Sequence, residues 1–155
     1  METPTIRRAT LDDRDALVWL RVALMREMGA VLAPDEAALA EVIRHYLDTA
    51  LPEGGFIAWV GTDAAGTVIG CGGLVTAQKP PSPGNHSGRE AYIMNMYTAP
   101  AWRGRGLAAR IFAALVAEAR AAGAELVRLH ATEDGRSIYA RAGFRATDTE
   151  MVLHA

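Results

Sequence analysis

The sequence is poor in cysteine and has no long apolar segment. Cys71 is the only cysteine among 155 residues, which excludes an internal disulfide and is typical of a reducing compartment. No apolar run approaches the roughly 20 residues of a membrane span, and none follows Arg7 and Arg8 as it would in a signal peptide. We therefore expect a cytoplasmic protein that has no membrane partner.

An excess of charge of one sign is also absent. The 16 Lys and Arg residues nearly balance the 18 Asp and Glu residues, and the net charge is -2. A nucleic-acid-binding protein would show a basic patch, so we expect no nucleic-acid partner. The four histidines lie far apart, without Cys or carboxylate neighbours at ligand spacing, so the sequence predicts no metal site. No G-x-S-x-G motif indicates a serine hydrolase.

The length and the hydrophobic pattern predict one domain, residues 1–155, of the α/β (α+β) class. The element order is β-α-α-β-β-β-α-β-α-β. Because a hairpin turn is predicted at 63–66 and a crossover helix follows Pro100, we expect a central mixed, mostly antiparallel sheet flanked by helices. The predicted strands are 5–9, 56–62, 67–78, 89–98, 125–131 and 144–153, and the predicted helices are 11–28, 35–51, 106–122 and 134–142.

The stretch with the clearest chemistry is a glycine-rich turn between a strand and a helix. We call it the glycine loop; it consists of Arg103, Gly104, Arg105, Gly106, Leu107 and Ala108. The first N–H groups of a helix have no acceptor within the helix, and the helix dipole adds positive charge. Residues without side chains let an anion approach the backbone closely. The pattern favours a phosphate site, although an ordinary loop with solvated arginines has the same composition.

A dinucleotide-binding interpretation is the less favoured of two alternatives. The six residues from Gly104 to Ala109 fit the fingerprint G-x-G-x-x-A of that class. The fingerprint belongs in the first of several parallel β-α-β units, whereas here it lies two-thirds along the chain, after predicted hairpins. The context argues against an oxidoreductase that uses this loop.

Two sequence blocks resemble the GNAT superfamily of N-acetyltransferases. Arg103, Gly106 and Ala108 match its coenzyme A motif, [Q/R]-x-x-G-x-[G/A]. The stretch from Ile138 to Phe144 is similar to its second block, L-Y-x-x-x-G-F. With the element order, the resemblance covers nearly the whole chain. It implies a GNAT-like fold, acetyl-CoA as co-substrate, direct transfer to a small-molecule or peptide amine, and pairing into a homodimer.

The resemblance also places the coenzyme. In such enzymes the strand before the glycine loop diverges from its parallel neighbour, and the pantetheine arm enters the gap. This implies that Met96, Tyr97 and Thr98 contact the thioester and pantetheine, that a backbone N–H near Met96 stabilises the oxyanion, and that the amides of the glycine loop hold the pyrophosphate. Thr132 stands where many relatives carry an Asn that touches the pantetheine.

For catalysis, the resemblance implies that Tyr139 protonates the departing thiolate. A period of two residues places Glu90, Tyr92, Met94 and Met96 on one face of their strand, so Glu90 is the first candidate for the base that takes the amine proton. His130, at the end of the next strand, is the second candidate. A solvated Glu and a structural His are the plainer interpretations.

The acceptor site is the least specified. The resemblance implies that the first two helices and the loop 79–88 build it, with Trp19, Glu27 and Trp59 as further candidates. Methionines at helical spacing are more often core residues, and an Arg in the pocket suits an acceptor that bears a carboxylate. A non-catalytic acyl-CoA-binding module remains the other alternative. The candidate substrate residues are Arg21, Met25, Arg26, Met28 and His130.

Overall fold

The computed structural model describes residues 2–147 and 149–155. Five strands form one sheet in the order β1-β2-β3-β4-β5. The first three pairs are antiparallel, and β4 and β5 are parallel, so the sheet is mixed and mostly antiparallel as predicted. The strands are β1, Thr5–Arg8; β2, Ile57–Thr62; β3, Val68–Gln78; β4, Arg89–Thr98; and β5, Leu126–Leu129.

Four α-helices flank the sheet. The second predicted helix runs two residues further than expected, because Pro52 is accommodated in its last turn and Gly54, with φ of 77°, ends it in the left-handed conformation. Short 3₁₀ turns at Leu11–Asp13, Ala33–Asp35 and Pro100–Trp102 precede α1, α2 and the glycine loop. The helices are α1, Arg14–Glu27; α2, Glu36–Glu53; α3, Leu107–Ala121; and α4, Arg136–Arg141.

Each face of the sheet has its own apolar core. On one face, α1 and α2 pack over the sheet with Leu17, Val18 and Leu47 buried; we call this the acceptor face. On the other, α3 and α4 pack over it with Ile111 and Leu115 fully buried; we call this the α3 face. Because β4 lies between both cores, its backbone is held from two sides.

A β-bulge interrupts β4. Met94 pairs with Gly73 and Tyr97 with Cys71, so two residues of β4, Asn95 and Met96, stand opposite one residue of β3. Asn95 has φ of 62°, the one positive value among non-glycine residues in the described chain. After the extra residue, the alternation of β4 side chains between the two faces shifts by one position. Met94 therefore packs in the core of the acceptor face, and Met96 packs in the core of the α3 face. The expectation that Met96 shares a face with Glu90 and Met94 was therefore wrong.

The predicted final strand, 144–153, is also wrong over the residues that the structure describes. Apart from position 148, which lies outside those residues, the segment has no strand structure. Met151, Val152 and Leu153 are 95%, 73% and 89% exposed. A strand needs a neighbour that shares its backbone hydrogen bonds, and apolar composition alone does not supply one. Within the described ranges, no helix combines the length and hydropathy that crossing a bilayer requires.

Candidate active site

The glycine loop presents unpaired backbone donors at the start of α3. Gly104 and Gly106 have φ of 75° and 76°, values that side chains disfavour, and Gly106 is the N-cap of the helix. The N–H groups of residues 104–108 donate to no acceptor in the described part of the chain, whereas that of Arg103 donates to the carbonyl of Pro100. Five free donors at a helix start form a site for an anion.

Two arginines flank these donors in different ways. The guanidinium of Arg105 stacks on Trp102, 4.7 Å from the ring centre, and remains exposed to solvent. Arg103 turns back toward α1, where it forms an ion pair with Glu27 at 2.8 Å. Its Nε also donates to the carbonyl of Thr98, at 2.9 Å. Arg105 is therefore the residue that adds solvent-exposed positive charge to the loop.

Glu27 joins α1 to the end of β4. It accepts hydrogen bonds from the hydroxyl of Tyr97 at 2.8 Å and from Arg103. These hydrogen bonds lower the pKa of Glu27, and the bond from Tyr97 has the largest effect. Burial raises the pKa of Tyr97. The hydroxyl of Tyr97 is thus held by α1, and its backbone remains on the strand beside the glycine loop.

A gap opens between β4 and β5. Their parallel pairing ends at Ile93 and Leu129, while β4 continues to Thr98. Along this edge the backbone from Met94 to Thr98 has no strand partner within the described ranges. Unpaired groups on one edge of a strand can bind an extended ligand, as a further strand would. The gap leads directly to the glycine loop, which follows β4 in the chain.

Tyr139 lies on the α3 face, in α4. It is 8% exposed and its ring packs against Phe112, with the ring centres 5.0 Å apart. A Cβ added to Gly135 would lie 2.9 Å from this ring, so the glycine gives the tyrosine its space. Burial raises the pKa of Tyr139, and its hydroxyl has no hydrogen-bond partner in the described structure. It keeps its proton at neutral pH. Thr132 lies in the exposed turn before α4.

The two candidate bases are both engaged in ion pairs. Glu90 is 8% exposed, and its carboxylate lies 2.9 Å from Nζ of Lys79 and 3.3 Å from Nε of Arg128. The hydrogen bond from Lys79 above all lowers the pKa of Glu90, which makes it a weaker base. His130 contacts the hydroxyl of Tyr92 through Nδ1 and the carboxylate of Glu150 through Nε2. Neither prediction is tested by this geometry.

A cavity of about 370 Å³ opens on the acceptor face. Among the predicted acceptor residues it is lined by Arg21, but not by Met25, Arg26 or Met28. Arg26 instead forms an ion pair with Glu36 at 2.6 Å, and Met28 is 56% exposed. The apolar lining comes from α1, α2, β3, β4 and the residue before β2, and includes Leu17, Ile43, Leu47, Phe56, Val75 and Met94.

Sequence reasoning missed Asn95, which also lines this cavity. It is 5% exposed, and its Oδ1 has no hydrogen-bond partner in the described structure. An Asn in the middle of an otherwise apolar strand is a usable signal, because Asn is depleted in strands and tolerates positive φ. The loop 79–88, Trp19 and Trp59 do not line the cavity, and the indole N–H of Trp59 donates to Glu118 at 3.2 Å.

Two further sequence interpretations can be compared with the structure. A dinucleotide fold needs successive parallel strand-helix-strand units, but here one pair, β4 and β5, is parallel and three pairs are antiparallel. Cys71 is fully buried, and burial raises its pKa to about 12, so it does not form a nucleophilic thiolate. In the described part of the chain, no three His, Cys, Asp or Glu side chains cluster as metal ligands would.

The fold has counterparts in known proteins. A GCN5-related N-acetyltransferase from Ralstonia eutropha JMP134 is 32% identical, with a TM-score of 0.87 over 99% of each chain. A predicted acetyltransferase from Clostridium acetobutylicum, crystallised with acetyl-CoA, is 28% identical, with a TM-score of 0.87 over 98% of this chain and 96% of that one.

A more distant structure shares the fold alone. Glucosamine-6-phosphate N-acetyltransferase from Arabidopsis thaliana is 19% identical, with a TM-score of 0.70 over 99% of each chain. No curated protein sequence matches the chain. The model of the acetyltransferase (GNAT) family matches residues 20–144, which include α2, the whole of β2 to β5, the glycine loop and Tyr139. The chain therefore belongs to the GNAT acetyltransferase family.

Proposed function

We propose that this protein transfers an acetyl group from acetyl-CoA directly to an amine. The observation that carries the proposal is the row of unpaired N–H groups from Gly104 to Ala108, which follows the open edge of β4. The loop suits a pyrophosphate, and the edge suits an extended arm that ends in a thioester. The relative from Clostridium acetobutylicum, crystallised with acetyl-CoA, supports this choice of donor.

In the proposed complex, the coenzyme lies along the gap between β4 and β5. The glycine loop binds the pyrophosphate through its backbone, and Arg105 adds charge at its exposed rim. The backbone of Met96, Tyr97 and Thr98 binds the pantetheine arm and the thioester. Because the carbonyl of Thr98 already accepts a hydrogen bond from Arg103, the N–H of Thr98 is the group left to bind the coenzyme. Thr132, in the turn at the far side of the gap, adds a hydroxyl contact.

The proposed reaction is an attack by the neutral amine on the thioester carbon. A C–N bond forms, and the carbonyl oxygen takes up the negative charge, which the N–H near Met96 stabilises. The C–S bond then breaks, the thiolate takes its proton from the hydroxyl of Tyr139, and the proton that the nitrogen loses as the amide forms returns through water to the tyrosinate. Because burial raises the pKa of Tyr139, that proton is still present when the thiolate leaves. No acyl-enzyme is needed, in keeping with the burial of Cys71.

Before the attack, the ammonium form of the acceptor loses a proton to Glu90, to His130 or directly to water. Glu90 has a lowered pKa, and His130 is bound at both ring nitrogens, so each must exchange a partner before it accepts a proton. The variants Glu90→Gln and His130→Gln separate the three routes. If one residue is the base, its variant alone loses the acidic limb of the pH profile of kcat/KM. If water is the acceptor, both variants keep the profile.

The first experiment measures thermal unfolding with acetyl-CoA, NADH or NADPH. A ligand at 100 times its Kd adds about 2.7 kcal/mol of stability, which is readily visible. We expect a shift with acetyl-CoA, its loss in Gly106→Val, and its retention in Gly84→Val. Gly84 is the matched control because its φ of 81° and its open surroundings resemble those of Gly106. A shift with a nicotinamide cofactor alone would overturn the proposal.

The second experiment measures release of the free thiol with a panel of amines. We expect Tyr139→Phe to lower kcat by about a hundredfold, the scale of one acid catalyst, with little change in the KM for acetyl-CoA. The variant retains the ring that packs on Phe112, so the fold is maintained. Binding of acetyl-CoA without thiol release for any amine would instead identify a non-catalytic acyl-CoA-binding module.

A further inference from the structure

Asn95 is placed and oriented at the inner wall of the acceptor cavity. Its backbone adopts the positive φ of the bulge, and the residue is 5% exposed. The thiol of Cys71 donates to the backbone carbonyl of Asn95 at 3.3 Å and accepts from Nδ2 at 3.7 Å. The second contact is the one made by the side-chain amide, and the amide oxygen lacks a described partner.

This unpaired oxygen is not explained by the bulge. Glycine adopts a positive φ more readily than asparagine and would leave no buried acceptor without a donor. Asn95 lines a cavity large enough for a small molecule, beside the β4 edge where the acetyl group is proposed to lie. Its oxygen is itself shielded from solvent, so a ligand in the cavity reaches it after the side chain turns. A neutral amide oxygen accepts a hydrogen bond from an N–H group. It therefore suits the amine that is to be acetylated.

Arg21 is the second polar feature of the cavity. It is half-buried, it is the one charged residue of the described lining, and no described carboxylate lies within ion-pair distance of it. Other arginines of the same helix have such partners: Arg14 pairs with Asp48 and Arg26 with Glu36. An arginine in an apolar pocket binds a carboxylate more strongly than one in water.

We propose that the cavity selects a small acceptor that combines an amine, an apolar body and a carboxylate, with the amine at Asn95 and the carboxylate at Arg21. The inference rests on the proposed acetyl transfer and adds the class of acceptor. The apolar body packs against Phe56, Val75 and Met94, and the volume of about 370 Å³ limits its size. Polycationic amines are disfavoured, because the described lining offers no carboxylate and Arg21 repels them.

The test compares matched acceptors by thiol release. L-leucine, L-phenylalanine and 6-aminohexanoate vary the distance between amine and carboxylate, and each is paired with its amide, which lacks the negative charge. Spermidine represents the polycationic class. We expect at least one of the acids to exceed its own amide by tenfold or more in kcat/KM, and to exceed spermidine. Preference for every amide over its acid, or for spermidine, would overturn the inference.

Two variants assign the preference to the named residues. Arg21→Met should abolish the preference for acid over amide, and Arg14→Met, on the same helix but outside the cavity, should retain it. Asn95→Gly keeps the backbone conformation and removes the amide, so it should lower kcat/KM for acid and amide alike by about tenfold, with the KM for acetyl-CoA unchanged. Unaltered turnover in Asn95→Gly would overturn its role.

Thermal unfolding separates failure of the inference from failure of the proposed function. If acetyl-CoA stabilises the wild-type protein and the protein acetylates only cationic amines, the proposed function stands and the proposed acceptor class is overturned. A protein that acetyl-CoA does not stabilise overturns both. Stabilisation of the wild type by the preferred acid in the presence of coenzyme A, and its absence in Arg21→Met, would support the inference without relying on turnover.

Discussion

The two faces of the sheet are packed in different ways. On the α3 face the contact is so close that β2 and β3 have no room for side chains at several positions. A Cβ added at Gly61 or Gly70 would lie 2.5 or 2.9 Å from a methyl group of Leu107, and one at Gly72 would lie 2.8 Å from Leu115. Leu107 is the first residue of α3, so this packing holds the glycine loop against the sheet.

The acceptor face also has one such position, Gly73, where an added Cβ would lie 2.1 Å from Phe56, but this face contains a cavity and is fastened at its ends by polar contacts. Its cavity of about 370 Å³ lies between α1 and α2, and ion pairs hold both ends of α1: Arg7 with Asp13 at the start, and Arg103 with Glu27 at the end. Dense packing fixes backbone donors in place, whereas an open pocket admits a ligand. The contrast suits a protein that holds a large coenzyme at one rigid loop and accepts a second molecule on the other face.

The largest expected change in the free energy of unfolding comes from shortening a buried leucine, and one leucine on each face allows a comparison. Leu115→Ala should lower the free energy of unfolding by about 3–5 kcal/mol, because α3 packs too tightly for the space to close. Leu47→Ala should cost less, about 2 kcal/mol, because Leu47 already borders the cavity. Urea unfolding of both variants measures the difference. Equal losses would show that the two faces are packed equally well.

The next effect comes from adding a single methyl group to the α3 face. Gly72→Ala would bring its Cβ close to Met96, Leu115 and Ile111 at once, so we expect a loss of about 1–3 kcal/mol. Gly55→Ala is the control, since its nearest heavy atom lies 3.7 Å away. Thermal unfolding of the pair provides the measurement. Equal stability of both variants would contradict the close packing.

A third effect, of about 1 kcal/mol, concerns the polar start of α1. Asp13 is 5% exposed, and its pKa is lowered mainly by the hydrogen bonds that Arg7 donates to its carboxylate. Because Arg7 is half-exposed, solvent weakens this interaction. Its stabilising contribution is present above the ordinary Asp pKa of about 3.9 and is lost as pH falls through the lowered value. Asp13→Asn should therefore be less stable than wild type at pH 7, and the difference should shrink below about pH 4.

Urea unfolding at several pH values measures this difference. Arg44→Met, which removes exposed ion pairs on the same face, serves as the control and should show little change in stability at pH 7. A difference between Asp13→Asn and wild type that stays constant down to low pH would contradict the assignment to an ionised carboxylate.

The smallest effect on stability is expected in the cavity itself. Val75→Leu adds one methylene where the structure has space, so the free energy of unfolding should change by less than about 0.5 kcal/mol. The acceptor should lose room, and its KM should rise while that of acetyl-CoA remains constant. Steady-state kinetics beside thermal unfolding measures both. A large loss of stability would show that the cavity wall cannot accommodate a larger side chain.

Much of the coenzyme side was predictable because its signals are local. Strand β4 begins and ends at the predicted residues, and Gly104 and Gly106 adopt the conformation that a glycine-rich turn before a helix requires. Arg103 belongs to the glycine loop in the sequence, but the fold turns its side chain toward Glu27, 76 residues away in the chain. A distant partner leaves no pattern in the neighbouring sequence.

The sequence by itself determined the element order from β1 to α4, the glycine loop and the family, since each depends on residues that are close together along the chain. Tertiary structure decided the rest. Pairing with β3 places the bulge at Asn95 and sends Met94 and Met96 to opposite faces, and the lack of a partner strand leaves the described part of 144–153 unpaired. Four separate elements meet to form the cavity that Arg21 lines. Such features depend on contacts between distant segments, which hydrophobic period and turn chemistry do not encode.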